Sequence, residues 1–244
     1  MDRPTPSKRP LRDIFGEIAG SYERANRALT LGLDRGWRRR AAGRAAAGGG
    51  TRWLDVCSGT GEMAENLAGL AAGGTEIVAV DFSLPMLTLA RAKPRLARAG
   101  FVLADVGRLP FPDATFDLVT ISFATRNVNL SRPALESTFR EFARVLRPGG
   151  RFVNLETSQP PNPIVRAAFR AYVRLVVMPV GRRISGAMAG YAYLAASIRN
   201  FYGAGELAEV LRASGFGRVV FERLLFGAAA IHLSTKDGLS AGRP

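Results

Sequence analysis

The sequence predicts an α/β protein built on a doubly wound, mostly parallel seven-stranded sheet, with an N-terminal helical segment and a helical insertion after the fifth strand. Three observations predict it. From residue 51 short apolar runs alternate with longer mixed segments, the signature of strands joined by helical crossovers. An acid–glycine loop, "LDVCSGTGE" at 54–62, follows the first of those runs. The alternation then breaks at "SQPPNP", 158–163, and resumes near residue 201.

The elements follow in order. Residues 1–50 form a basic helical segment, and 51–156 form the repeating core. In that core "RWLDV" (52–56) reads as a buried strand and "EMAENLAGLAA" (62–72) as a helix. "EIVAVD" (76–81) is the second strand, and 84–100 is mostly helix with a break at Pro94. "FVLAD" (101–105) and "FDLVTISF" (116–123) are strands three and four. Residues 132–150 read as a helix stopped by Pro-Gly-Gly, ahead of a fifth strand at 151–156. Residues 157–200 are the insertion. Its first part, 164–183, is amphipathic, with Arg166, Arg170 and Arg174 at spacing four along one face. It is either a helix packed on the sheet with a solvated arginine stripe, or a cap over an apolar substrate or a lipid surface. A helix (205–215) and two strands (218–226, 228–235) close a single domain, with a disordered tail over 236–244.

Composition bounds the function. A hydrophobic content of 47% supports a real core, and one cysteine permits no internal disulfide, which suits a cytoplasmic protein. The basic N-terminus has no apolar run behind it and is not a secretory signal. The longest uncharged stretch, 184–198, has 15 residues, short of the roughly 20 that span a bilayer, so a soluble protein is expected. The net charge of +14 is concentrated: 1–50 and 157–200 each carry net +6, while 51–156 carry only +1. Two basic flanks suggest an anionic partner, either nucleic acid or an acidic membrane surface.

In an open parallel sheet, ligands bind beyond the carboxyl ends of the strands, where "LDVCSGTGE" lies. Gly59 and Gly61 permit a sharp turn and a close ligand approach. A full G-x-G-x-x-G is absent. Asp55 stands just before the turn, where it would repel a pyrophosphate and suit a cationic or amino-bearing ligand. Asp81 ends strand two, where an acid accepts hydrogen bonds from ribose hydroxyls, and Asp105 ends strand three, beside a place for adenine. A ligand with adenine, ribose and a cationic amino-acid end but no phosphate is S-adenosylmethionine. This constellation resembles the class I methyltransferases.

Longer motifs sharpen the resemblance. "IFGEIAGSYERANRALTLGLDRGWRRRAA" (14–42), "LPFPDATFDLVTISFATRNV" (109–128), "RVLRPGGRFVNLETSQP" (144–160) and "YAYLAASIRNF" (191–201) are similar to the menaquinone/ubiquinone biosynthesis C-methyltransferase family. The resemblance spans about Asp13 to Leu233. It implies methyl transfer from S-adenosylmethionine to a ring carbon of a prenylated quinol; a short chain with no transit segment favours demethylmenaquinol, with the benzoquinol precursor of ubiquinone as the alternative. It also implies cofactor contacts from Thr60, Asp81 with neighbouring Phe82, Asp105 and Val106, and Ser122. Cys57–Ser58, Glu62 and Asp105 depart from the residues usual in the family.

That reaction needs a stabilised phenolate, because a phenol ionises only near pH ~10. Arg126 in "TRN" is the first candidate cation, with Asn127 orienting it or the ring, although Arg126 can equally serve as a structural partner of an acid. Tyr22 is either a cover over the cofactor or a core aromatic, and Arg199 is a candidate second cation. The single histidine, His232, lies in the last strand and reads as structural; Cys57 has no partner for nucleophilic work, and no metal-ligand spacing exists. The expected partners are the quinol, an anionic membrane surface met peripherally, and a second copy in a homodimer. A nucleic-acid methyltransferase would carry Asn/Asp-Pro-Pro-Tyr/Phe or a paired catalytic cysteine after strand four, and "SFATRNV" supplies neither. A protein that binds the cofactor without catalysis is the third reading.

Overall fold

The computed structural model describes residues 11–129, 131–177, 179 and 195–238. The start of the basic N-terminal segment, most of 178–194 in the insertion and the tail from 239 lie outside the described residues.

Helices α1 (Leu11–Leu29) and α2 (Leu33–Ala46) lead into the core. There follow β1 (Arg52–Val56), α3 (Glu62–Ala68), β2 (Glu76–Asp81), α4 (Leu84–Arg91) and β3 (Gly100–Leu103). Then come β4 (Phe116–Ser122), the short α5 (Thr125–Val128), α6 (Arg132–Val145) and β5 (Leu146–Thr157). Helix α7 (Pro163–Tyr172) continues as a π-helical turn over Val173–Val177, and 195–199 are helical. Helix α8 (Ala204–Ala213), β6 (Phe216–Leu224) and β7 (Ala229–Lys236) complete the chain.

The seven strands lie in the order β3-β2-β1-β4-β5-β7-β6. Strands β1 to β5 pair in parallel, while β7 is antiparallel to both β5 and β6. The order reverses between β1 and β4, and that switch point is where such sheets bind ligands.

Apolar alternation decides which face each residue serves. Leu54, Val56, Val119, Ile121 and Phe152 bury against α6 and α8 in one core, where Phe139, Phe142, Phe152 and Phe216 pack ring against ring. Trp53, Leu118, Val153 and Leu155 bury on the other face under Ala41, Ala42 and Ala45 of α2 and Met63 and Leu67 of α3. The small residues of α2 let a helix lie close to the sheet, so the N-terminal segment is fixed over one face.

Several features differ from the sequence expectation: α3 ends at Ala68, α4 at Arg91 and β3 at Leu103, short of the expected 72, 100 and 105, so Asp105 lies just beyond its strand. Helix α6 stops at Val145, because Arg147–Gly150 form a bulge inside β5, with Gly149 at φ 75° and the pairing jumping from Phe116↔Leu146 to Leu118↔Arg151. Strand β7 runs on through Lys236, whose ammonium donates to the Leu146 carbonyl at 2.7 Å. Helix α7 is not packed on the sheet; none of its residues is buried, and it meets α1 and 195–198 through Phe169, Tyr172 and Val173.

Candidate active site

The loop after β1 is built on left-handed backbone. Cys57 (φ 50°), Gly59 (φ 55°) and Gly61 (φ 81°) all adopt it. Cys57 therefore occupies a conformation that favours glycine, at a strain of roughly 1–2 kcal/mol. A Cβ on Gly59 would meet nothing within 4 Å, because this residue opens onto a cavity. A Cβ on Gly61 would fall 2.8 Å from Leu96 Cδ1 and 2.9 Å from Ala90 Cβ. Gly61 lets α3 pack close to α4 and does not line the cavity.

That cavity, of about 390 Å³, lies beyond the carboxyl ends of β1, β2 and β4. Asp55, Gly59, Thr60, Asp81, Phe82, Asp105, Val106 and Ser122 all line it, as do Tyr22 and Asn127. Asp55 is buried and accepts from Thr120 Oγ1 at 2.7 Å and from the Ala64 amide at 3.1 Å, bracing the strand end against α3. Burial pushes its pKa up to about 7, against the opposing pull of those hydrogen bonds. Asp81 accepts from the Gly59 amide (2.8 Å) with one oxygen and from the Ser83 amide (2.9 Å) with the other, and the Phe82 amide also donates to it, so it clamps the loop from three backbone donors. Burial raises Asp81 as well. Asp105 is exposed and accepts from the Gly107 amide at 2.7 Å.

The cavity is acidic: Asp55, Asp81, Glu62 and Asp105 face a single arginine, Arg38. It disfavours a phosphate and suits a ligand with a cationic end. Ser58 Oγ, on the same loop, is buried and makes no hydrogen bond with the described residues. An unsatisfied donor in a cavity wall fits a polar ligand. Helix α1 closes over the loop, where Glu23 hydrogen-bonds the Thr60 side chain and pairs with Lys93 Nζ at 2.9 Å, and Lys93 also reaches Glu65 at 3.4 Å.

A second cavity of about 360 Å³ lies against the first. Its walls are Leu29, Trp37, Phe123, Phe169, Tyr172 and Ile198, and its mouth carries Leu31, Leu33, Leu225 and Phe226. Among the described residues Arg38 is the one lining both cavities. It is buried, with Nη1 on Asp34 (2.6 Å), Nη2 on Glu62 (3.1 Å) and Nε on Ser122 Oγ (3.0 Å), and its guanidinium carbon sits 5.0 Å from the Phe123 ring centroid. The end of β4 makes the partition: Ser122 and Ala124 face the first cavity, while Phe123, at φ 55°, turns into the second.

Arg126 lines the second cavity and is buried against Glu156, Nη1 to Oε1 2.6 Å. Its charge is thus matched by an acid at the end of β5, the structural pairing that its motif left open. Arg199 is exposed and lines neither cavity. His232 bonds the Ala204 carbonyl through Nε2 at 2.8 Å, and burial lowers its pKa to about 4, so it stays neutral and structural. Burial, then the carboxylates Asp81 and Asp55, push the Cys57 thiol well above its ordinary value, and an un-ionised thiol is a poor nucleophile. Asp34, Trp37 and Arg38 also line these cavities, and the sequence does not mark them as site residues. Their signal was an acid and an arginine four apart in "LDRGWRRR", too common a pattern to mark a buried pair.

Residues 5–236 match the model of the ubiE/COQ5 methyltransferase family. A demethylmenaquinone methyltransferase of Clavibacter sepedonicus is 40% identical, over 100% of this chain and 96% of that protein. One of Thermus thermophilus is 41% identical, over 91% of this chain and 100% of that protein. Among solved structures, the [4+2]-cyclase SpnF superposes with a TM-score of 0.68 at 18% identity, covering 96% of this chain and 97% of that one, a likeness of fold alone.

Proposed function

The chain belongs to the ubiE/COQ5 methyltransferase family and is an S-adenosylmethionine-dependent methyltransferase, and on that premise we propose that its acceptor is a ring carbon of demethylmenaquinol, giving menaquinol. S-adenosylmethionine supplies an electrophilic methyl group on a sulfonium. The acidic cavity would hold it: Asp81 as acceptor for the ribose hydroxyls, Asp105 and Val106 at the adenine edge, and Asp55, Thr60 and Ser58 around the cationic amino-acid end. Phe82 and Tyr22 supply apolar contact, and Ser122 and Asn127 the wall towards the acceptor.

One observation carries the acceptor assignment: an apolar cavity adjoins the cofactor cavity and shares Arg38 with it. A flat apolar ring with a prenyl tail suits aromatic and aliphatic walls, and the shared wall lets its edge approach the methyl group. Holding the two in line supplies much of the acceleration. Arg126 lines the ring cavity as half of an ion pair, so its part is to present polarity at a fixed place. Arg199, outside both cavities, belongs with the basic surface of the insertion.

The mouth of the apolar cavity supports a peripheral membrane encounter. Leu31 (78% exposed), Phe226 (79%) and Leu225 (50%) stand out from it, beside Ile164 (79%) on α7. Residues 157–200 carry six arginines and no acid, a charge that anionic lipid headgroups attract. Among the described residues no helix is long and apolar enough to cross a membrane.

The test is a comparison of acceptors. The purified protein, given methyl-labelled S-adenosylmethionine, should label reduced demethylmenaquinone at a kcat/KM at least tenfold above that for the demethylated benzoquinol. Equal or greater transfer to the benzoquinol, or none to either, contradicts the assignment.

A further inference from the structure

The second cavity has one carboxylate in its wall among the described residues, and it is buried: Asp34, 2% exposed. Its neighbours in that wall are otherwise apolar or are Asn26, Thr30, Thr157 and the two arginines Arg38 and Arg126. A buried acid facing an apolar space needs a reason, since transfer from water is costly unless the charge is paired. Arg38 Nη1 pairs with Oδ2 at 2.6 Å and the Thr30 hydroxyl lies 2.8 Å from Oδ1. Oδ2 therefore has one strong partner, while Oδ1 shares the single Thr30 hydroxyl proton with the Asn26 carbonyl (2.9 Å from it) and has lone-pair capacity to spare. Through Arg38 the carboxylate is tied to Glu62 and Ser122, both in the wall of the cofactor cavity.

Resting on the quinol reading above, we propose that Asp34 is the general base of the reaction, taking the proton of the quinol hydroxyl beside the ring carbon that is methylated, with Arg38 as its positioning residue. The hydroxyl O–H bond breaks towards the free lone pair of Asp34 as ring electrons form the new carbon–methyl bond, and the electron pair of the breaking C–S bond stays on sulfur. The methylated carbon then gives its hydrogen to solvent as a proton, and Asp34 returns its own proton to the ring oxygen. One proton leaves per turnover, in exchange for the lost sulfonium charge. The charged and titratable groups facing Asp34 are Arg38 on its own helix, Glu62 of α3 behind that arginine, Arg126 of α5 with its partner Glu156 of β5, and Tyr172 of α7, whose hydroxyl donates to the Leu29 carbonyl. Arg126 is held by Glu156, which leaves Asp34 the acceptor for a proton in this cavity.

The experiment compares the full-length wild type, Asp34→Asn and Asp34→Glu on reduced demethylmenaquinone between pH 7 and pH 10. Binding of S-adenosylhomocysteine is measured by calorimetry in parallel. General bases contribute about 10²–10⁴-fold. Asp34→Asn should lose at least about 100-fold in kcat at pH 7. It should regain at least about tenfold by pH 10, where the quinol hydroxyl ionises unaided. Asp34→Glu should stay within about 30-fold of wild type, and all three should bind S-adenosylhomocysteine within about threefold. An Asp34→Asn enzyme close to wild type, or equally impaired at every pH, overturns the proposal. If Asp34→Asn does not fold, Asp34→Glu decides, and its loss of more than about 100-fold with intact cofactor binding also overturns it. A wild type that methylates no quinol defeats the function reading instead.

Discussion

Asp55 and Cys57 show what single residues of the loop contribute. Asp55 has its pKa raised to about 7 by burial. Between its usual value near 4 and 7, the folded ligand-free protein binds a proton that the unfolded chain does not, so this residue adds stability as pH falls through that window. A cationic ligand prefers the ionised form. S-adenosylmethionine affinity should therefore rise several-fold between pH 6 and pH 8, and Asp55→Asn should bind more weakly with that slope gone; titration calorimetry across this range checks both. Cys57, held un-ionised in the turn, should resist iodoacetamide at pH 7.5 in the native protein and react on unfolding, as mass spectrometry would read. The loop's identity was legible because acid, glycines and strand-end carboxylates fall at spacings that parallel strands impose. The residue standing in for a glycine was legible too, but its φ of 50° was not, since nothing local in "DVCSG" dictates the sign of a torsion.

At the scale of elements, the Arg126–Glu156 pair ties α5 to the end of β5. The Glu156 carboxylate also accepts from the Arg126 and Thr157 amides, at 3.2 and 2.7 Å. Glu156→Ala leaves a buried guanidinium unmatched and should cost about 3–5 kcal/mol, seen as a lower urea midpoint. Residues 30 apart in sequence become neighbours only once β4 and β5 pair, which is why "TRN" alone could not tell a catalytic cation from a structural one. The same limit hid Arg38. Its surroundings come from α2, α3 and β4, and no periodic pattern in one segment encodes a meeting of three. Most strands, by contrast, were readable closely, because burial on each sheet face repeats with the period of the strand, whereas α3 and α4 end well before the expected 72 and 100. The exception, the bulge at Arg147–Gly150, came from a Pro-Gly-Gly that reads as a helix stop from either side.

Across the whole molecule, two cavities meet at one buried arginine, and the apolar one opens between exposed Leu31, Leu225 and Phe226. Each of these three sits at positive φ, 53°, 44° and 54°, so the backbone bears strain of roughly 1–2 kcal/mol apiece while presenting apolar side chains to the outside. Phe226→Asp should lower turnover on long-chain quinol in vesicles about tenfold or more, because a charge at the membrane interface opposes insertion. It should leave a short-chain, water-dispersed quinol almost unaffected, and parallel assays on the two acceptors measure the difference. Equal binding of the wild type to neutral and anionic vesicles in sedimentation would count against the charge argument. The basic flanks were plain in the composition. The apolar mouth between them was not, because its residues come from the α1–α2 turn and the β6–β7 turn, almost 200 positions apart.

The proposed reaction delivers methyl to carbon, and to carbon of the reduced ring. Single-turnover transfer from ¹³C-methyl S-adenosylmethionine to demethylmenaquinone, run with and without a reductant and read by carbon NMR, separates carbon from oxygen and reduced from oxidised acceptor. A ring-methyl signal should appear in the reduced sample alone, with no O-methyl resonance. A methoxy signal, or equal labelling of the oxidised quinone, would contradict it.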